Sequence, residues 1–209
     1  MIYTVGSSRN NFLPLDGFRT KFIVDRPHDG DNIDRLNGHY CELTGMYYLW
    51  KHDNEDLCGL EHYRRYFYSG NRLLGREEAG NILSTDDIIL VPHHHPRNRT
   101  TYDWFCGAGK NLDFDKWLML LNRACPDFFE VMWDYCRQNL VYICNMFVTR
   151  REILDDYCSW LFPLLAKYDA VVGLTQANHR IDGYLAEHTL GAWCRWKGLR
   201  IHGGHMHMP

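Results

Sequence analysis

The stretch Leu57-Cys-Gly-Leu-Glu-His-Tyr-Arg-Arg-Tyr-Phe67 concentrates the side chains with most chemistry to offer. Its first four residues form a short apolar run behind the polar, turn-like His52-Asp-Asn-Glu-Asp56, a pattern that suits a buried parallel strand. Arg64 and Arg65 are adjacent, so at least one must point away from the apolar side. A strand that unloads guanidinium, imidazole and phenol groups at its C-terminal end is a common way for an α/β sheet to present a ligand site. Two planar forks there suit phosphate or carboxylate. The competing expectation is a structural ion-pair cluster with nearby Glu and Asp. Histidine offers a second chemistry. His93-His-His95 precedes Pro96, and His202-Gly-Gly-His205-Met-His207 has metal-ligand spacing. No Cys or carboxylate stands at matching spacing and terminal tails are usually mobile, so adventitious Ni²⁺ or Zn²⁺ binding is expected there rather than a functional zinc site.

These residues need a scaffold. Ile2 to Val5 and Lys21 to Val24 read as short strands separated by turn-rich sequence. Asp34 to Lys51 reads as one helix, with Tyr40, Leu43, Tyr47 and Trp50 on one face, Asn37 as N-cap and Glu42 near the positive start. Asp86 to Pro92 reads as a buried strand closed by its proline. His93 to Asn111, roughly twenty residues with Gly107-Ala-Gly109 inside, exceeds the usual connection and reads as a lid or pocket wall. Phe114, Trp117, Leu118 and Leu121 make a helical stripe, and Asp127 with Glu130 and Thr149 with Glu152 form capping-box patterns for two more helices. The second of these turns Ile153, Leu154, Tyr157, Leu161 and Leu164 inward and is expected to kink or end at Pro163. Val141 to Ile143 and Met146 to Val148 read as one strand interrupted by Asn145, a polar residue that needs a partner. A last helix, Asp182 to Trp196, stops at Gly198, and Leu199 to His202 reads as a closing strand. Strands alternating with helices predict an α/β fold: a mostly parallel sheet with helices on both faces.

A chain of 209 residues suits one α/β domain. With a net charge of −3 there is no global basic field, which argues against a nucleic-acid partner. No apolar run approaches the ~18–20 residues of a membrane span, and the opening Met1-Ile-Tyr-Thr-Val has no signal-like character. The eight cysteines are spread through core-patterned segments without a C-x-x-C, so they read as mostly reduced core residues of a cytoplasmic protein. Peripheral attachment to the inner face of a membrane through a partner would leave no mark on such a sequence.

Asp31-Asn-Ile33, Asn37, Tyr40-Cys-Glu-Leu-Thr44, Trp50-Lys51, Gly59-Leu60 and His62-Tyr-Arg-Arg-Tyr-Phe67 resemble the head of domain-of-unknown-function family 4422. The resemblance continues in Asn145-Met-Phe147, Tyr157-Cys-Ser-Trp-Leu-Phe162, Arg180 with Gly183-Tyr-Leu-Ala-Glu187, and Trp193. That family is linked to capsular and exopolysaccharide synthesis and contains galactofuranosyltransferases. The resemblance implies a GT-A-like nucleotide-sugar fold, with residues 1–209 as a single glycosyltransferase-like domain. It also implies an inverting hexosyl transfer from a UDP-sugar donor, galactofuranose among the candidates, to a glycan or lipid-linked glycan acceptor of a surface polysaccharide. Departures stand beside it: a shorter opening than usual, Asp182 where the family often has an aromatic, and Gly109-Lys-Asn-Leu112 where it usually has His-His before Asp-Leu.

Many GT-A enzymes neutralise the leaving diphosphate with a metal on an Asp-x-Asp motif. Asp29-Gly-Asp31 and Asp113-Phe-Asp115 match it literally, the second reading better as a helix cap. The favoured expectation is that Arg64 and Arg65, at the end of the central strand where such enzymes place that motif, replace the ion. No cofactor is then expected, with Mn²⁺ or Mg²⁺ as the alternative. The resemblance makes Asp31, Asn32, His62, Arg64, Arg65, Asn145 and Arg180 the donor-binding set, and Asp182 or Glu187 the catalytic base, since the acceptor hydroxyl needs a nearby carboxylate. Asp31 and Asn32 equally suit an Asx turn, and Arg180 equally suits a structural pair with Glu187. Tyr63, Tyr66 and Trp104 suit either sugar faces or the core. Two rivals remain: a degenerate member that binds nucleotide or glycan without turnover, and a metal-dependent hydrolase using the histidine clusters.

Overall fold

A computed structural model describes residues 1–96, 98–107 and 111–209. In chain order the elements are β1 (Ile2–Gly6), β2 (Arg19–Ile23), α1 (Asn37–Tyr40), α2 (Leu43–His52), β3 (Leu57–His62), β4 (Tyr66–Ser69) and β5 (Arg72–Leu73). There follow α3 (Arg76–Ile82), β6 (Ile88–His94), α4 (Thr101–Phe105), α5 (Asn111–Ala124) and α6 (Pro126–Cys136). The chain closes with β7 (Leu140–Arg150), α7 (Arg151–Val172), α8 (Ile181–Trp196), β8 (Ile201–Gly203) and β9 (His205–His207).

A six-stranded sheet of order β2-β1-β3-β7-β6-β8 forms the centre. Every neighbouring pair is parallel except those made by β7, which runs against both β3 and β6. The fold is thus α/β and mostly parallel, as the strand–helix alternation predicts. The C-terminal ends of β1, β3 and β6 consequently share one edge. Alternation along the strands feeds two cores. Cys58, Leu60, Ile88, Leu90 and Phe147 pack towards α2 and α5–α8. Ile89, Val91, Met146 and Val148 pack the other way, against Phe67, Leu74, Ala79 and Leu83. That second face is covered by α3 and a small sheet, β5-β4-β9, which periodicity did not predict.

Several local expectations are corrected. The helix over 34–51 is broken, because Cys41 adopts φ 51° between α1 and α2. Asn37 is the first residue of α1, not its cap. Pro92 does not close β6, which continues to His94 with a register shift between Leu90 and Pro92; the missing N–H falls where the ladder is already irregular. Neither predicted capping box forms: α6 starts at Pro126, whose ring is pre-set for a first helical position, and Thr149 remains in β7 and donates to the Asp87 carbonyl. Pro163 lies inside α7 without ending it. The His93–Asn111 stretch contains α4, opened by a Thr100–Asp103 capping box. Of the segments Gly107-Ala-Gly109 and Gly109-Lys-Asn-Leu112, residues 108–110 lie outside the described residues. The C-terminal histidines belong to a strand: β9 pairs antiparallel with β4.

Below the end of β3 lies an ion pair that the pattern concealed. Glu61 is fully buried, accepts from Arg19 Nε at 2.8 Å and Thr4 Oγ1 at 2.9 Å, and receives the Phe67 amide. Burial pushes its pKa up, and Arg19 and the other donors counter this. Gly59, two residues earlier, lets β7 approach: a Cβ there would stand 2.6 Å from the Phe147 carbonyl oxygen. Backbone cannot yield cheaply at that separation. Gly59→Ala is therefore expected to cost about 1–3 kcal/mol of unfolding free energy, read by urea denaturation. An unchanged midpoint would contradict the β3–β7 approach described.

Candidate functional site

The shared C-terminal edge of β1 and β3 carries a cleft of about 270 Å³. Gly6, Ser7 and Asn10 line it together with Glu42, His62 and Arg180. A ligand crevice at the carboxyl ends of parallel strands is where an open α/β sheet has free loops to build one. A separate apolar groove, lined by Met119, Leu120, Val171 and Val172 with Lys116 and Arg123, carries no carboxylate or imidazole. The cleft is the candidate site.

Its walls are built from unusual backbone. Among the described residues, four non-glycine positions have left-handed φ: Cys41 (51°), Cys144 (71°), Asn145 (50°) and Arg180 (67°). All four meet here. Between the Leu90–Phe147 and Pro92–Tyr142 pairs, β6 advances two residues and β7 five, so β7 bulges at Ile143–Met146. The bulge is held from both sides. Asn145 Nδ2 donates to Glu42 Oε1 at 2.8 Å and to the Gly183 carbonyl at 2.9 Å, so both amide hydrogens are committed. The Asn145 Oδ1 atom is buried without a partner. His62 Nε2 lies 2.7 Å from the Cys144 carbonyl. A carbonyl can only accept, so His62 carries its proton on Nε2. Burial lowers the His62 pKa, leaving a neutral ring whose donor is already spent.

The arginines divide sharply. Arg19, Arg150 and Arg151 each have carboxylate partners, Glu61, Asp87 and Asp155. Among the described residues Arg64, Arg65 and Arg180 have no carboxylate within salt-bridge distance. A tight turn, with the His62 and Arg65 backbones bonded to each other, puts Arg64 and Arg65 just beyond β3. Arg64 stands over the Tyr63 ring, and Arg180 opens α8 with its amide on the Gly38 carbonyl. Glu187, one to two turns into α8, faces Glu42, Arg65, Arg180 and the Cys144 amide. Burial and the Glu42 charge lift its pKa to about 7, against the pull of that amide and the two arginines. A carboxyl poised there exchanges a proton near neutrality.

His62, Arg64, Arg65, Asn145, Arg180 and Glu187 are thus gathered around the cleft. Asp31 and Asn32 are not. Asn32 donates to the His28 and Gly30 carbonyls and accepts from the Asp34 amide, the Asx-turn arrangement. Asp31 accepts from Tyr47 and lies 3.8 Å from Lys51 Nζ, on a separate depression over residues 30–36. The Asp-x-Asp pairs do not fit a metal at the cleft: Asp113 and Asp115 lie on α5, where they engage Lys116 of the same helix and Tyr102 of α4. Among the described residues no three His, Cys, Asp or Glu side chains converge in a metal-binding group. Tyr66 is core, donating to the Tyr63 carbonyl, while Tyr63 lines the cleft. Glu42, which the sequence places near the positive start of a helix, is singled out by its contact with Asn145, more than a hundred residues away.

Asp182 is fully buried beside Asp169, and among the described residues neither of its carboxyl oxygens has a donor; Asp169 accepts from Tyr40 Oη at 2.7 Å. Two neighbouring buried carboxyls do not both ionise readily, so the folded pair retains one proton between them. Burial, then the Asp169 charge, lift the Asp182 pKa to about 8. The folded state therefore holds this proton at pH values where the unfolded chain, with a pKa near ~4, has released it. Stability contributed here is greatest at low pH and declines as pH rises towards 8. Asp182→Asn, which keeps the shape and a permanent donor, is expected to stabilise the fold by about 1–3 kcal/mol at pH 8 and to change little at pH 4. Urea melts at the two values check this; equal effects at both would contradict the shared proton.

The model of a domain of unknown function (DUF4422) matches residues 5–198. No curated protein matches the chain. Among solved structures, one described as the apo structure of the bifunctional glycosyltransferase WbbM superposes with a TM-score of 0.83 at 20% identity, covering 99% of this chain and 45% of that one. The chain thus spans less than half the length of that protein, and the likeness shows the fold.

Proposed function

The chain belongs to the DUF4422 family, and from that premise we propose that it is a glycosyltransferase taking its sugar from a nucleoside-diphosphate donor, a UDP-hexose, and passing it to a glycan acceptor. The observation that carries this reading is the set of three guanidiniums, Arg64, Arg65 and Arg180, that have no carboxylate within salt-bridge distance among the described residues and stand around a cleft at the carboxyl edge of the sheet. A diphosphate supplies the anion they lack. As the glycosidic bond to the donor breaks, negative charge grows on the departing diphosphate, and fixed guanidiniums stabilise it as a metal would. The fold shared with a bifunctional glycosyltransferase supports the same class.

Glu187 is the base of this reading. Its carboxylate removes the acceptor hydroxyl proton as that oxygen attacks the anomeric carbon, which gives inversion. Asp182, the other carboxyl considered, is buried beside Asp169. Asn145 and His62 hold the bulge and Glu42 in place. Galactofuranose as the sugar, and a surface polysaccharide or its lipid-linked precursor as acceptor, follow from the family. Asp31 and Asn32 belong to the donor side only if the 30–36 loop folds over the nucleotide.

A base must be ionised, so kcat/KM for UDP release from a UDP-hexose in the presence of acceptor should rise with pH, with a midpoint near the 7 assigned to Glu187 in the free protein. Glu187→Gln should remove that limb and lower the rate by about 10²–10⁴-fold. A variant that keeps the pH profile would exclude Glu187 as base.

A further inference from the structure

A second feature stands at the same sheet edge, outside the cleft. β6 ends in His93 and His94, paired with Val141 and Leu140 of β7. His95 turns inward, 3% exposed, and among the described residues neither ring nitrogen has a hydrogen-bond partner. A buried polar ring without partners is costly, so something else must compensate its position. Trp104 supplies the contact: its ring lies on His95 at 4.6 Å and 21°, and His93 closes edge-on at 5.1 Å. Trp104 is nevertheless 46% exposed. The indole covers the imidazole with one face and leaves the remainder to solvent.

The rings are held rigidly. Thr100 and Asp103 cap α4 reciprocally, and Thr101 Oγ1 donates to the Gln138 and Leu140 carbonyls, tying the helix to the start of β7. The platform is also near the chemistry. Val141, which pairs with His93, is three residues from Cys144, whose carbonyl receives His62, a span of at most about 10 Å along the strand. Burial and the neighbouring His93 lower the His95 pKa, which favours the neutral imidazole beneath the indole.

We infer that the His93–His95–Trp104 platform is the acceptor subsite, taking a hexopyranose ring of the glycan acceptor flat against Trp104 while its neighbouring residue reaches Glu187. The inference rests on the glycosyltransferase reading for the word acceptor, but binding at the platform is independent of it. A pyranose has one face of C–H groups and a rim of hydroxyls. The indole face removes the former from water, and the His93 ring offers a nitrogen to the latter.

The test is NMR titration of the full chain with methyl β-D-galactopyranoside and methyl β-D-glucopyranoside. The indole N–H resonance of Trp104 is identified by its absence from Trp104→Phe, a variant that keeps a ring on His95. Saturation transfer to the glycoside ring protons and a shift of that resonance are expected, with binding about three- to tenfold weaker in Trp104→Ala. No transfer and no shift with either glycoside would overturn the subsite, as would equal binding by wild type and Trp104→Ala. UDP binding is measured on the same samples. Glycoside binding without UDP binding would sink the donor reading and leave the platform standing, and UDP binding without glycoside binding would do the reverse.

Discussion

Two amide hydrogens of Asn145 hold the site together. One goes to Glu42, at the start of α2, and the other to the Gly183 carbonyl in the first turn of α8. Asn145 makes both contacts because the β7 bulge turns its backbone left-handed, and the bulge is pinned in turn by His62 on the Cys144 carbonyl. Three elements distant in sequence are thereby fixed around one cleft. The arrangement is not free: left-handed non-glycine residues cost on the order of 1–3 kcal/mol each, and four of them meet here. A hydrogen bond to a charged group returns roughly 1.5–3 kcal/mol, so the Glu42 contact offsets part of that strain. Strain gathered at one place and absent elsewhere among the non-glycine positions described is what a binding site looks like energetically.

The charges follow the same division. Where an arginine serves the fold, as Arg19 does beneath β3, its guanidinium is buried and saturated by a carboxylate and carbonyls. Where it borders the cleft, the carboxylates are near enough to feel its charge and too far to bind it. Glu42 and Glu187 oppose each other, and Arg65 and Arg180 keep that repulsion from expelling the second negative charge. An incoming diphosphate would take the guanidiniums and leave Glu187 with less to hold its charge, raising its basicity when donor is bound.

The alternation of strands and helices made the sheet, its mostly parallel sense and its central strand legible in advance, since periodicity reports which side of an element is buried. The departure of the chain from the core at Arg64 and Arg65 was legible, because two adjacent arginines cannot both face the apolar side; the tight turn that carries them was not. What periodicity does not report is a pairing across the chain. Glu61 follows the apolar run of β3 and reads as a stray charge until Arg19 is seen beside it. Cys41 breaks a well-patterned helix through its φ, which its side chain does not announce. Asp31 and Asn32 matched a family motif, yet their side chains are spent on a turn, on Tyr47 and on Lys51. Capping boxes at Asp127 and Thr149 failed because a proline and a strand pairing claimed the adjoining backbone first.

The central claim is that guanidiniums alone receive the diphosphate. Isothermal titration of UDP in excess EDTA, on wild type and on Arg65→Ala, tests it most directly. The account predicts one UDP per chain without metal and a loss of about ten- to a hundredfold in affinity in the variant, the worth of one charge-assisted hydrogen bond. Binding that disappears in EDTA and returns with Mn²⁺, with Arg65→Ala unchanged, would contradict it.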